Sequence, residues 1–340
     1  MPSSLSVKTG FIGSLYRILG LGIILGSFLI FVWVFGDAIR SAGGLKPDRW
    51  TPFIGAAILN LLMLFFLMVL WQRVLTFLRS PINGSVLPST SSLYAAYSRS
   101  WLARYIPGRI WSLAGRTILV NRLGVPADQV ARSIVIEVVL AYGMLTIISG
   151  SILSWVYLHP LIAVMTFTFG VILFGASVIK IGNLPKDSTL QSPPISLTRM
   201  VFQKAATLLA GRSYFSRNFT LKGLGLYGAY SLMQLAFIVL IAASFTDLNA
   251  SKIAVISGAW GLSLTVGWLS IFPPVGLGAR DGLAFLLFSQ VVELPAASSI
   301  VVSSRLLMLS TDLTFVMTIE STTRMHRRFR LNKIRIRNGI

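Results

Sequence analysis

The sequence has no cysteine and only 2 histidines, so several kinds of site are excluded before any motif is considered. Without cysteine the chain has no disulfide framework, no thiolate nucleophile and no cysteine-ligated metal. The two histidines, His159 and His326, lie far apart in the sequence. We therefore predict no metal site and no cofactor.

Charged residues are also scarce, and acidic residues are the scarcer kind. They make up 12% of the 340 residues, against about 25% in soluble globular proteins. Hydrophobic residues make up 54%, and the 30 Lys and Arg exceed the 10 Asp and Glu by a net charge of +20. With a mean hydropathy of +0.77, this composition excludes a water-soluble protein and indicates a membrane protein.

Long uncharged runs predict an all-α polytopic membrane protein with about 8 transmembrane helices, since each needs roughly 20 apolar residues. Residues 1–323 form the predicted integral membrane domain, and residues 324–340 form a basic cytoplasmic tail. The first span is longer than a signal-peptide core, so we expect an uncleaved anchor. The predicted spans lie near residues 18–36, 53–71, 133–155, 160–179, 223–245, 253–272, 274–292 and 296–320.

The distribution of Lys and Arg predicts the orientation. With a cytoplasmic N-terminus, the inside segments hold 24 of the 30 cations and the outside loops hold 4. Cytoplasmic segments of inner-membrane proteins concentrate Lys and Arg. We therefore predict a multi-pass protein of the cell inner (plasma) membrane with both termini in the cytoplasm. The same asymmetry explains the net charge without a nucleic-acid partner.

A segment near residues 93–118 is predicted to be interfacial or re-entrant. Its aromatic residues recur at helical spacing, a Pro-Gly pair then breaks the helix, and two arginines follow two turns apart. A re-entrant hairpin with its cations facing a polar cavity and an interfacial helix with its cations among lipid headgroups both fit this pattern. The residues concerned are Tyr94, Tyr97, Trp101, Tyr105, Pro107, Gly108, Arg109 and Arg116.

A second segment, near residues 274–292, predicts a broken or re-entrant helix. Its backbone is interrupted by Pro273, Pro274, Gly276, Gly278 and Gly282. Irregular backbone at membrane depth occurs where protein covers it or where it lines a wet cavity.

Two charged residues, Arg280 and Asp281, open the short apolar helix of this segment. A charge at bilayer depth costs at least about 2.5 kcal/mol, so each needs a partner. Two interpretations remain: the helix N-terminus and Arg280 bind an anion such as a lipid phosphate, or the two residues form a structural ion pair.

Further ionisable residues in the spans predict a polar interior. Glu137 lies in the third predicted span, and Arg305 and Asp312 share one face of the last. We hypothesise that Arg109, Arg116 and Arg280 bind a lipid phosphate. Glu137, Asp281, Arg305 and Asp312 then supply counter-charges in a polar network.

An ordered set of motifs identifies a family resemblance over nearly the whole chain. The set resembles the lysylphosphatidylglycerol synthase transmembrane-region family, which includes the flippase half of the multiple peptide resistance factor. The resemblance implies a bacterial or archaeal inner-membrane protein that moves, or helps to move, an anionic, aminoacylated or glycosylated lipid between leaflets. The motifs are Arg104-Tyr-Ile-Pro-Gly-Arg-Ile-Trp111, Gly115-Arg116, Gly124-Val125, Glu137, Gly276-Leu-Gly-Ala-Arg-Asp-Gly282 and Arg305.

The chain departs from the family pattern in three places. Asp281 and Val275 stand where the family usually carries Glu and Gly, and a short basic tail follows Glu320 where the two-part members continue into a soluble aminoacyl-transferase domain. We therefore expect a stand-alone member that is not an enzyme.

Two other functions stay open. One is a membrane-embedded transferase acting on a lipid or polyprenyl phosphate, and the other is an accessory subunit of a cell-envelope glycosylation pathway. The implied partners are membrane lipids, with cell-envelope glycosyltransferases or a separate lipid synthase as candidate protein partners. The sequence leaves the oligomeric state open.

Overall fold

The structure, a computed structural model, describes residues 46–78, 88–105, 110–182, 217–269 and 278–337. The regular structure of these residues is helical throughout, as predicted, and a short 3-10 turn, Ala103–Tyr105, follows α2. The helices are α1 (Trp50–Leu78), α2 (Thr90–Leu102), α3 (Ile110–Asn121), α4 (Ala127–Tyr157), α5 (Pro160–Gly182), α6 (Arg217–Ala243), α7 (Ala250–Leu269), α8 (Ala279–Phe288) and α9 (Leu294–Arg337).

In the described part of the chain, five helices are long and apolar enough to cross a membrane. They are α1, α4, α6, α7 and α9, whereas the apolar stretch Pro160–Gly175 of α5 is shorter. The predicted span 18–36 lies outside the described residues. The prediction of an all-helical chain with apolar, span-length helices is thus confirmed for the described residues, with five such helices where about eight spans are predicted.

In the segment predicted as a span near 274–292, the described residues from Gly278 onward form only a short helix before α9. Helix α8 has 10 residues, so it rises about 15 Å, half of a hydrocarbon core of about 30 Å. It follows Gly278, whose φ of 91° favours glycine. The prediction that Gly282 breaks the helix is wrong, because its N–H donates to the Gly278 carbonyl at 2.7 Å inside α8. Pro273, Pro274 and Gly276 lie outside the described residues.

The segment near 93–118 consists of two helices, α2 and α3. Helix α2 begins at a Ser89 cap, whose hydroxyl accepts the Ser92 N–H at 3.3 Å. The 3-10 turn ends at Tyr105 and α3 begins at Ile110, so the two helices are separate. Pro107, Gly108 and Arg109 lie outside the described residues.

Helix α9 is longer than the predicted last span. The sequence predicts a span at 296–320 and a separate tail from 324, but the helix continues through Arg337 without interruption. The hydrophobic pattern reports only the apolar part of a helix, whereas backbone hydrogen bonds extend into the basic part as well.

Helix α4 lies at the centre of the bundle and packs against α1, α3, α5, α6 and α7. Its contact with α7 is close because glycines face it: a Cβ at Gly261 would lie 1.8 Å from the Ser149 hydroxyl, and one at Gly258 would lie 2.7 Å from Leu153. Such small residues let two membrane helices approach each other.

Segments predicted to lie on the non-cytoplasmic side of the membrane meet at one end of the bundle. The Asp48 and Arg49 N–H groups donate to the Ser244 carbonyl at 2.9 and 3.2 Å, which joins the start of α1 to the end of α6. We call the cavity there the polar cleft; its volume is about 630 Å³, and its lining includes Asp48, Arg49, Asp247, Lys252, Gln290 and Glu293. The Arg49 guanidinium binds Asp247 and holds the pKa of that carboxyl below its usual range.

Candidate functional site

The first buried ion pair joins α3 to α4. Arg116 Nη1 donates to Glu137 Oε2 at 2.5 Å, and both side chains are almost fully buried. The Tyr97 hydroxyl, from α2, donates to the other Glu137 oxygen at 3.1 Å. The Arg116 guanidinium also lies over the rings of Tyr97 and Trp71, at 4.1 and 5.3 Å from their centroids. Side chains of the protein therefore surround the Arg116–Glu137 pair.

We call α2 and the 3-10 turn that follows it the α2 segment (residues 90–105). A second carboxylate, Asp312 on α9, accepts hydrogen bonds from three residues of this segment. Trp101 Nε1 donates at 2.9 Å, the Tyr105 hydroxyl donates at 2.5 Å, and Arg104 Nη2 also donates to it. The Arg104 guanidinium lies 4.4 Å from the centroid of the Trp101 ring. The α2 segment is thus bonded to α4 through Glu137 and to α9 through Asp312.

The third carboxylate, Asp281, belongs to a group that we call the Asp281 cluster: Arg280 and Asp281 on α8, and Arg305 on α9. Arg305 Nε and Nη2 donate to the two Asp281 oxygens at 2.7 and 2.8 Å. This planar, two-point contact is the strong form of an arginine–carboxylate pair. Asp281 is fully buried.

Arg280 differs from the other buried arginines because no carboxylate is bonded to it in the described part of the chain. Its side chain is 3% exposed, and its Nε lies 3.9 Å from Asp281 Oδ1, beyond hydrogen-bond distance. That Nε has no hydrogen-bond partner among the described residues. Nη2 donates to a weak acceptor, the Met308 sulfur, at 3.3 Å.

The fold positions Arg280 tightly. A Cβ at Gly267 of α7 would lie 2.6 Å from the Arg280 Cβ, so α8 approaches α7 where a side chain is missing. The Arg280 guanidinium lies 4.3 Å from the centroid of the Trp260 ring, which also belongs to α7. An aromatic face stabilises a cation but accepts none of its N–H groups in a strong hydrogen bond.

The structure brings together some of the predicted site residues and separates others. Arg116 contacts Glu137, and Arg280, Asp281 and Arg305 form one cluster, whereas Arg305 and Asp312 bind different partners. Arg109 lies outside the described residues.

Several residues that contact these charges have no recognisable signal in the sequence. Arg104, Trp260 and Met308 were not predicted as site residues, and Tyr97, Trp101 and Tyr105 were predicted only as one face of a helix. A lone aromatic or methionine in an apolar span carries no signal of the charge that it contacts.

The chain matches no protein-family model, no curated protein and no solved structure.

Proposed function

We propose that the chain is a lipid flippase or transporter-like protein that moves an anionic lipid between the leaflets of a membrane. The observation that carries the proposal is Arg280, a buried cation at the start of a half-length helix, whose Nε lies 3.9 Å from Asp281 and has no carboxylate of the described residues within hydrogen-bond distance. By contrast, the buried Arg116 and the half-buried Arg104 and Arg305 each bind a carboxylate through a hydrogen bond.

A buried charge without a partner is costly, which favours a ligand that supplies the partner. A charge at bilayer depth costs about 2.5–3.5 kcal/mol even on insertion scales. The N-terminus of α8 adds a positive dipole beside Arg280, together with N–H groups that the helix itself does not satisfy. Discontinuous helices of this kind carry the substrate sites of many transporters. An anionic headgroup satisfies the guanidinium, the N–H groups and the dipole together.

The proposal includes the family, the membrane and the orientation predicted above. The motifs that resemble the lysylphosphatidylglycerol synthase transmembrane-region family include Arg280, Asp281 and Arg305, the residues of the Asp281 cluster. Cation asymmetry supports an inner-membrane location with cytoplasmic termini. The gathering of predicted outside segments at the polar cleft supports the same orientation. Membrane lipids are the proposed partners.

Transport of a headgroup-labelled anionic phospholipid in proteoliposomes tests the proposal. We expect the wild-type protein to accelerate exchange of the lipid between leaflets, and we expect Arg280→Gln to abolish it, because glutamine keeps much of the side-chain length but removes the charge. The matched control is Arg49→Gln in the polar cleft, where the arginine side chain is 57% exposed. Thermal unfolding in detergent verifies that each variant is folded.

Normal transport by a folded Arg280→Gln variant would contradict the proposed site. Absence of transport by folded wild-type protein would contradict the proposed function for that lipid. Equal loss in Arg280→Gln and Arg49→Gln would show that the assay responds to cations in general.

A further inference from the structure

Counted over the described residues that compose it, the Asp281 cluster has a net charge of +1. It contains two guanidinium groups, of Arg280 and Arg305, and one carboxylate, of Asp281. The charges of Arg305 and Arg104 both lie within electrostatic reach of Arg280, and Arg104 is itself neutralised by Asp312. Among the described residues, Tyr142 of α4 is the other titratable group that acts on Arg280.

No other acidic side chain of the described residues neutralises Arg280. Glu137, Asp312, Glu320 and Asp128 each contact a different arginine, and the remaining acids line the polar cleft. Residues 270–277, which precede α8, contain no charged residue. The net charge of the cluster therefore determines which ligand charge balances it.

We infer that the Asp281 cluster selects lipids whose phosphate is a monoanionic phosphodiester over lipids with a dianionic phosphomonoester. This inference rests on the proposed function and names its substrate class. One negative charge brings the cluster to neutrality, whereas two leave an excess negative charge at membrane depth. An excess charge there costs about as much as the unpaired cation does, so both mismatches are penalised.

Met308 is the neighbour of Arg280 that a ligand phosphate would have to replace. Its sulfur contacts Arg280 Nη2, and its side chain is only partly buried. Methionine is flexible and is the neutral neighbour of the guanidinium, so it can turn aside without breaking an ion pair. The phosphate oxygens then take the place of the sulfur.

The first experiment compares lipids that share their acyl chains and differ in phosphate charge. Binding of dioleoyl phosphatidylglycerol, dioleoyl phosphatidic acid and uncharged dioleoylglycerol is measured on the full chain in maltoside detergent at pH 8. We expect the phosphodiester to bind on the order of a hundredfold more tightly than the phosphomonoester. Equal binding of the two phospholipids, or tighter binding of phosphatidic acid, would overturn the inference.

Lowering the pH changes the ligand and leaves the arginines charged. The dianion of a phosphomonoester takes up one proton with a pKa of about 6, so phosphatidic acid is monoanionic at pH 5. We expect its affinity to approach that of phosphatidylglycerol at pH 5, while the affinity of phosphatidylglycerol changes little. A preference that is the same at both pH values would show that ligand charge is not what the cluster recognises.

Substitutions of Met308 and Asp281 change the charge of the cluster in opposite directions. Met308→Glu places a carboxylate beside Arg280 and should weaken phosphatidylglycerol binding on the order of a hundredfold, whereas the neutral Met308→Gln should stay within a few-fold of wild type. Asp281→Asn raises the net charge by one and should reverse the preference toward phosphatidic acid. Wild-type affinity in Met308→Glu would overturn the assignment to Arg280.

Two further outcomes separate the inference from the proposed function and from a soluble ligand. Transport of both phospholipids at equal rates would retain the proposed function and overturn the inference, whereas selective binding without transport would retain the inference and overturn the function. Dimethyl phosphate has the same single charge without acyl chains. Its displacement of phosphatidylglycerol at equal concentration would assign the cluster to a soluble phosphodiester and overturn the lipid assignment.

Discussion

Each buried carboxylate of the described bundle binds more than one donor, and the aromatic residues of the α2 segment supply several of them. Tyr97 completes Glu137, and Trp101 and Tyr105 complete Asp312. A buried carboxylate that accepts several hydrogen bonds keeps its charge at a lower cost than one that binds a single cation. These aromatic residues therefore stabilise the ion pairs as well as filling space.

Removing one of these donors should destabilise the fold. Tyr97→Phe keeps the ring over Arg116 and removes only the hydroxyl that donates to Glu137. We expect the free energy of unfolding to fall by about 1–2 kcal/mol, because a buried charged acceptor loses a partner. Chemical unfolding in mixed micelles measures this change.

The control for this substitution is Tyr94→Phe, three residues earlier on α2. Tyr94 packs against the hydrophobic cluster that contains Tyr97, and it is only partly buried. Its change should leave the free energy of unfolding nearly constant. Equal destabilisation by the two substitutions would show that the bond from Tyr97 to Glu137 contributes nothing particular.

At the scale of helices, close contact between α4 and α7 depends on glycine. We expect Gly261→Ala to lower the free energy of unfolding by about 1–3 kcal/mol, because the new methyl group would lie 1.8 Å from the Ser149 hydroxyl and must push the helices apart. Gly150→Ala, on α4, is the control, since no atom lies within 4 Å of the added Cβ. Unfolding of both variants under identical conditions provides the comparison.

The control variant has an expected direction of its own. Alanine favours a helix over glycine by about 0.8–1.0 kcal/mol in exposed positions, so Gly150→Ala should leave stability unchanged or raise it. A Gly261→Ala variant as stable as Gly150→Ala would mean that α4 and α7 separate without cost.

The sequence predicts the helices better than their contacts. Apolar runs locate α4, α6 and α7 because the thickness of a bilayer limits the length of a span. The half-length α8 was predicted only as a broken segment, because composition does not reveal where a helix begins after irregular backbone.

The partners of the charges depend on packing that periodicity does not report. Arg305 and Asp312 share a face of α9, yet two helical turns separate them by about 10 Å, so they meet different elements. Arg305 reaches Asp281 on α8, and Asp312 reaches Arg104, which is 208 positions away in the sequence. Spacing along one helix gives the shared face but not the neighbour at each depth.

At the scale of the molecule, the orientation is testable because the chain has no cysteine of its own. Single-cysteine variants therefore need no altered background. Ala250→Cys lies at the start of α7 near the polar cleft, and Thr322→Cys lies on the exposed far part of α9. We expect a membrane-impermeant maleimide added to intact cells to label Ala250→Cys and not Thr322→Cys, because the cation asymmetry predicts a cytoplasmic location for the far end of α9.

Permeabilised cells provide the control, since both cysteines should then react. Labelling of Thr322→Cys alone in intact cells would reverse the orientation. Labelling of both sites in intact cells would show that the reagent had entered.

Helix α9 is long, and its length has a mechanical consequence for the whole bundle. Its 44 residues extend about 66 Å, roughly twice the thickness of the hydrocarbon core. Arg305 bonds it to α8, and Asp312 and Glu320 bond it to α2 and the 3-10 turn that follows, so a tilt of the helix strains all of these attachments together. A swing of about 5° displaces the far end by about 6 Å over that length. A force applied to the basic end of α9 is therefore transmitted along the helix to Arg305, which binds Asp281.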